Sequence, residues 1–312
     1  MIVLRFIATY KKGEAMSFCA EVKNELINIR PSACCKPSFA YGFMLFGRSF
    51  SFKKIVFQTT NENVQKAYFD AVFSVYKVKP ELTAGGNIKP TYKASIESES
   101  DRLKILASVD FGISEGFIDR SFFLRECCIL AFLRGAFLAC GNINDPEKEY
   151  RAEFNLKNEG LATELSVLLA ELGIKMRKIE RKNGFQLYTK ESAVIEDLLT
   201  LLGAGRKTLD IIDTKIMKSV KNNINRARNC DNANISKTVE ASIKQRRAIE
   251  FLEKADRLYS LPHELLEAAI LRRDNPDATL KELCRISKDA VTISGLNHRL
   301  KRIIEIYEEM KL

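Results

Sequence analysis

CCILAFLRGAFLACGNI, residues 127–143, decides how this chain is read, because CCKPSFAYGFMLFGRSF, residues 34–50, precedes it as a recognisable earlier copy. At an offset of 93, Cys34 meets Cys127, Cys35 meets Cys128, Phe39 meets Phe132, Gly42 meets Gly135 and Leu45 meets Leu138. A four-residue insertion in the second copy shifts the offset to 97, and Phe57, Asn61 and Glu62 then fall on Phe154, Asn158 and Glu159. Such an internal repeat marks two units of one build. Each copy is apolar nearly all round a helix and carries one interior glycine, which costs roughly 1 kcal/mol against alanine unless something requires it. Two helices crossing at Gly42 and Gly135 supply the requirement, since a missing Cβ lets backbones approach closely.

The flanking sequence completes two similar halves. Ser17 caps a helix with Phe18, Val22, Leu26 and Ile29 on one face. The first motif helix covers 37–47, strand formers fill 49–59, and a helix over 61–76 presents Val64, Tyr68, Val72 and Val75. Between residues 80 and 112, Pro80, Gly85, Gly86 and Pro90 separate short alternating runs, LKILASVDF (103–111) among them, and the segment reads as strands. The second half has its motif helix to Cys140, a strand YRAEFNL over 150–156, a helix over 159–172 stopped by Gly173, a hairpin signalled by Asn183-Gly184, and a helix over 191–202. The expectation is an α+β domain over 16–205, with halves of about 16–112 and 113–205 and antiparallel sheets laid over two central helices.

A doubled F-L-x-G-A-F-L-x-x-G helix followed by a strand resembles the paired LAGLIDADG motif of homing endonucleases. The resemblance implies an αββαββ duplication in which the motif helices form the pseudo-twofold interface, each ending in a metal-binding carboxylate. Aligned through Gly42 and Gly135, those positions are Gly47 and Cys140, neither of which offers the hard oxygen that magnesium prefers. No catalytic residue and no metal or other cofactor is therefore assigned. Asp145 and Glu147 are the nearest carboxylates for a residual metal-dependent endonuclease. Lys175, Arg177, Lys178, Arg181 and Lys182 either saddle DNA or form a solvated strand face.

The 312 residues, 46% hydrophobic and 29% charged, are an ordinary globular balance with room for two or three domains. Fifty Lys and Arg against 40 Asp and Glu give a net +10, which favours a polyanionic partner. The opening MIVLRFIATY is broken by Arg5, falls short of a membrane span and lacks a cleavage-type site after it. Residues 1–15 read as an N-terminal extension ahead of Met16, or as a short extra strand. Eight cysteines without CxxC spacing read as reduced cytosolic thiols. A four-sulfur cluster of Cys34, Cys35, Cys127 and Cys128 is weighed against, because adjacent helical residues diverge by about 100°. Only His263 and His298 are present, so histidine-based metal hydrolysis has little to work with.

Residues 206–234 carry seven basic and three acidic residues, with Lys221, Arg226 and Arg228 among the former. They read as a basic linker contacting phosphates, or as a solvated helix joining two domains. The remainder, 235–312, is helical by pattern. A long amphipathic helix opens it, a second covers SLPHELLEAAILRRDNP, and a third starts at the capping box Thr279-x-x-Glu282. After the turn SKDAV, the last helix buries Leu296, Leu300, Ile303 and Tyr307 and turns Ser294, His298, Lys301, Arg302 and Glu305 outward, with Asn297 and Arg299 flanking. This is the helix-turn-helix layout, in which the second helix enters the major groove. Gly295 near its start lets the backbone approach DNA.

A carboxylate-free LAGLIDADG-like domain joined through NRARNCDNANISKTV to a helix ending SGLNHRLKR resembles the WhiA family of bacterial transcription regulators, over about residues 16–307. The resemblance implies a linker motif at Asn225, Arg226, Asn229, Cys230, Ala233 and Asn234, and a recognition motif at Ser294, Gly295, Asn297, His298 and Arg299. SKDAV lacks the proline expected in that turn. The implied function is sequence-specific binding of double-stranded promoter DNA, in the cytoplasm at the nucleoid, at genes of cell division and sporulation. The implied scaffold does not cleave. A division-associated scaffold whose DNA binding is secondary is the other reading. A regulatory protein partner and the oligomeric state are left open, and no membrane association is expected.

Overall fold

The structure, a computed structural model, describes residues 16–86, 90–109, 116–287 and 291–311. The extension 1–15, the expected junction of the halves near 112, and residues 288–290 of the SKDAV turn lie outside the described residues. Two compact units are present, Met1–Met217 and Lys218–Leu312.

In the first unit, helix α1 (Phe18–Ile27) starts where the Ser17 hydroxyl accepts from the Ala20 amide at 3.3 Å. There follow α2 (Lys36–Leu45), β1 (Ser49–Phe50), β2 (Ile55–Thr59), α3 (Glu62–Tyr76), β3 (Glu81–Gly85), β4 (Thr91–Ile96) and α4 (Glu99–Leu106). The second half contributes α5 (Glu126–Cys140), β5 (Gly141–Ile143), β6 (Ala152–Leu156), α6 (Glu159–Glu171), β7 (Arg177–Arg181), β8 (Gly184–Thr189) and α7 (Ser192–Leu202). The two antiparallel sheets share one plan, in the orders β1-β2-β4-β3 and β5-β6-β8-β7. The repeat extends to single caps. Asn61 accepts from the Asn63 amide at 2.9 Å to open α3, and Asn158 accepts from the Leu161 amide at 3.1 Å to open α6.

Helices α2 and α5 cross at their glycines. A Cβ on Gly42 would land on the Phe132 carbonyl oxygen, and one on Gly135 would strike the Phe39 carbonyl oxygen and lie 2.8 Å from the Phe43 nitrogen. Rings from both helices then pack under the sheets: Phe43 edge-on to Phe57 and Tyr68, and Phe137 edge-on to Phe154. All of these rings are buried.

Residues 99–106 depart from the expected strand. Ser98 caps α4 by accepting from the Asp101 amide at 3.3 Å, and Glu99 and Asp101 favour the positive end of the helix dipole. Those start signals outweigh the two-residue alternation of Leu103, Ile105 and Ala107, and Leu103 is exposed. The hairpin also differs by one residue. Its loop is Lys182-Asn183, and Gly184, with φ +143°, pairs with Arg181 as the first residue of β8. A side chain at Gly184 would collide with the Leu156 carbonyl oxygen.

The expected linker is helical throughout. Helix α8 (Gly205–Lys254) spans 50 residues, and residues 206–254 contain neither glycine nor proline to break it. Residues 221–240 are exposed on every side. In the second unit, the end of α8 packs with α9 (His263–Asp274), α10 (Leu280–Ile286) and α11 (Ile293–Glu309) around Ile249, Leu252, Leu283, Leu296, Leu300 and Ile303. The expected capping box is present, Thr279 accepting from the Glu282 amide at 3.3 Å while Glu282 accepts from the Thr279 amide at 2.8 Å.

The helix crossing predicts its own sensitivity. Gly135→Ala forces main chains apart and is expected to cost about 1 to 3 kcal/mol despite alanine's better helix propensity. Gly85→Ala meets nothing within 4 Å and serves as the control. Urea denaturation of both variants measures the difference, and equal midpoints would remove the crossing as a tight contact.

Candidate nucleic-acid interface

The C-terminal ends of α2 and α5 open into a cleft of about 660 Å³ lined by Gly47, Arg48, Cys140, Asn155, Lys157 and Asp119, among others. Asp119 is its one carboxylate among the described residues, and its side chain accepts from the Ser121 amide at 2.9 Å. Cys140 is a thiol raised to about 12 by burial, and the nearby Lys23 ammonium donates to the Leu138 carbonyl at 3.2 Å, capping the end of α5. Among the described residues, a lysine-capped helix end next to a protonated thiol lacks the paired anionic oxygens that would gather divalent ions, and burial lowers the Lys23 pKa. Asp145 does not make up the deficit, because its side chain accepts from the Glu147 amide at 2.9 Å in the turn after β5 and neither residue lines the cleft.

The open sheet faces distribute charge differently from the sequence expectation. On β7, Lys178 turns to α6 and bonds Glu159 and Thr163, at 3.1 and 3.0 Å. Arg181 donates to Gln186 at 3.2 Å, and Gln186 also accepts from Arg151 at 2.8 Å, while Arg151 donates to Glu153 at 2.7 Å. Of the five basic residues expected there, Lys178 and Arg181 are thus engaged within this half, while Lys175, Arg177 and Lys182 are exposed. Arg48, Lys54 and Lys93 of the first half and Lys157, just after β6 of the second, surround Gln58 in a basic hollow that the sequence reading missed. Period-two alternation alone could have placed Lys93 and Gln58 together only once the register Gln58↔Lys93 was known.

In the second unit, local hydrogen bonds set the presentation of α11. Buried Arg272 donates to the Ala278 carbonyl at 2.6 Å, and Ser242 donates to the Pro276 carbonyl at 2.6 Å, fixing the loop that leads into α10. Thr292 caps α11 by accepting from the Gly295 amide at 3.1 Å, and a Cβ on Gly295 would sit 3.2 Å from that hydroxyl. Glycine at 295 thus serves the cap itself. Leu296, Leu300 and Ile303 are buried, and Ser294, His298 and Lys301 lie exposed in line on the other side, with Asn297 half-buried beside them. Two expected contacts are already engaged within the unit. Arg299 pairs with Glu264 of α9 at 3.3 Å, and Arg302 with Glu305 and Glu309 at 2.8 and 3.5 Å. The carboxylate of Glu305 is the main cause that raises the Arg302 pKa. On α8, Lys221, Arg226 and Arg228 are exposed, with Lys221 and Arg228 two turns apart on one line. No helix of the described residues is long and apolar enough to cross a membrane.

Comparison with known proteins agrees with both halves of this picture. The WhiA C-terminal HTH domain matches residues 224–307, and the WhiA LAGLIDADG-like domain matches residues 129–221. The probable cell division protein WhiA of Caldicellulosiruptor saccharolyticus is 35% identical, covering 95% of this chain and 96% of its own. That of Ruminiclostridium cellulolyticum is 34% identical, over 95% and 98%. The crystal structure of full-length WhiA from Thermatoga maritima aligns with a TM-score of 0.58 at 25% identity, covering 94% of this chain and 99% of that one. With its duplicated α+β domain, its helix-turn-helix and relatives matched almost end to end, the chain belongs to the WhiA family.

Proposed function

We propose that this protein is a sequence-specific DNA-binding regulator of transcription, acting at the nucleoid in the cytoplasm on promoters of cell-division genes and, in sporulating cells, of sporulation genes. The observation that carries the reading is the exposed line Ser294, His298 and Lys301 on α11, held over a buried stripe and behind a capped N-terminus in a helix-turn-helix. Residues near the N-terminus of a recognition helix reach base edges in the major groove. Ser294, Asn297 and His298 take that role, and Lys301 and Arg302 reach the adjacent backbone, Arg302 by exchanging its carboxylate partners for phosphate. Gly295 keeps the cap compact at the closest approach, and Arg299 holds α11 against α9. Lys221, Arg226 and Arg228 add phosphate contacts. Among the described residues the cleft holds no paired carboxylates, which supports a scaffold that does not cut DNA. The name of the relatives, probable cell division protein, also supports a role at division.

Mobility-shift titrations on an operator and a scrambled duplex test the assignment. His298→Ala is expected to weaken operator binding by roughly tenfold or more and to narrow the gap to scrambled DNA, whereas Lys301→Ala weakens both alike. Arg299→Ala is expected to lower thermal stability. Unchanged operator affinity in both His298→Ala and Lys301→Ala would mean that another surface reads DNA.

Salt dependence tests the role of α8. Each phosphate contact contributes roughly 0.9 to the slope of log affinity against log salt, so the full-length Lys221→Gln, Arg226→Gln, Arg228→Gln triple variant should lose about 2.7 from that slope. An unchanged slope would leave the basic stretch as a solvated helix. Incubation with operator DNA and magnesium or manganese should leave the duplex intact, and nicking abolished by Asp145→Ala would restore an endonuclease.

A further inference from the structure

At the end of the motif helices opposite the cleft, the sulfurs of Cys34, Cys35, Cys127 and Cys128 all lie within 4.8 Å of one another. Cys34 Sγ is 3.8 Å from Cys35 Sγ and 3.9 Å from Cys127 Sγ. Four thiolates at about 2.3 Å from a tetrahedral zinc ion are separated by about 3.8 Å. Two edges of the observed group thus already have the required length, and the longest needs to close by no more than about 1 Å. An iron–sulfur cluster spreads its terminal thiolates much farther apart, so this group suits a single ion.

Only one of the two vicinal pairs is helical. Cys34 lies in the turn before α2 and Cys35 at its N-cap, so only Cys127 and Cys128, in the first turn of α5, follow the 100° step of a helix. The glycine crossing brings the two N-termini together, and the positive ends of both helix dipoles favour thiolate. Ser32 supports the group from outside, its hydroxyl donating to Cys35 Sγ at 3.1 Å and lying 3.3 Å from Cys34 Sγ. Cys35 and Cys128 are buried, while Cys127 is exposed and Cys34 half-buried, which leaves an entry path.

We propose that Cys34, Cys35, Cys127 and Cys128 bind one zinc-class divalent ion as a closed structural site that ties the two halves of the first unit across their pseudo-twofold interface. All four positions are sulfur, which leaves no open position for catalysis and selects soft or borderline metals over magnesium.

The test uses full-length reduced protein titrated with zinc and with cobalt as a spectroscopic substitute. The expected result is one equivalent bound, visible bands of tetrahedral cobalt with thiolate charge transfer, displacement of cobalt by zinc, and a higher melting temperature with zinc. Zinc should also shield four of the eight cysteines from alkylation, a readout that needs no variant. The Cys34→Ser, Cys127→Ser double variant should keep its far-UV circular dichroism and lose both the cobalt spectrum and the zinc-dependent melting shift. An octahedral cobalt spectrum, zinc uptake unchanged in the double variant, alkylation indifferent to zinc, or a Cys34–Cys127 disulfide that leaves zinc unbound would each overturn the proposal.

Discussion

The first unit depends on the main-chain contact of two helices at Gly42 and Gly135, where a single added carbon on either side would occupy the space of a backbone atom on the other. Close crossing brings the Phe43 and Phe137 rings within reach of Phe57 and Phe154, and so lays each sheet on its own helix. It also fixes what meets at the two ends of the helix pair. Sulfur from both halves converges at the N-termini, and Gly47 and Cys140 flank the cleft at the C-termini. One constraint thus sets the core, the pseudo-symmetry and the placement of both chemically distinctive groups.

The two ends have opposite electrostatic character. At the cleft, the Lys23 side chain donates to the Leu138 carbonyl at the end of α5, and no pair of carboxylates gathers among the described residues. At the sulfur end, the N-termini of both helices favour negative charge. A duplicated scaffold of this kind can keep its packing and sheet faces after losing the groups needed for metal-assisted cleavage, because packing and chemistry reside on different residues. The basic hollow of Arg48, Lys54, Lys93 and Lys157 is suited to polyanions whether or not cleavage follows.

The sequence disclosed whatever depended on a strong local signal. The repeat predicted the paired glycine helices, the offset of 97 aligned Asn61 with Asn158, which the structure shows as matching caps, and the capping box and apolar stripe predicted α10 and α11. Misreadings arose where two local signals competed or where only the tertiary contact decides. In residues 99–106, an alternating pattern masked a Ser98 cap and an acidic first turn. Along 206–234, the basic linker was left open to be a solvated helix, and the continuous helix observed fits a stretch without glycine or proline. The pairing of Arg299 with Glu264 and the turn of Lys178 towards α6 join residues far apart in sequence, and no local pattern encodes them. The repeat did set the four cysteines at equivalent helix starts, and the 100° step that weighed against a cluster governs only the helical pair Cys127-Cys128.

The central claim, a DNA reader whose specificity resides on α11 and whose scaffold does not cut, is tested most directly by mapping bound sites across the genome for the native chain and for its His298→Ala form at equal abundance. The account predicts a limited set of promoter sites sharing one sequence element for the native chain, with occupancy at those sites collapsing towards background in the variant. Identical maps for the two proteins, or a native map with no shared element, would contradict it.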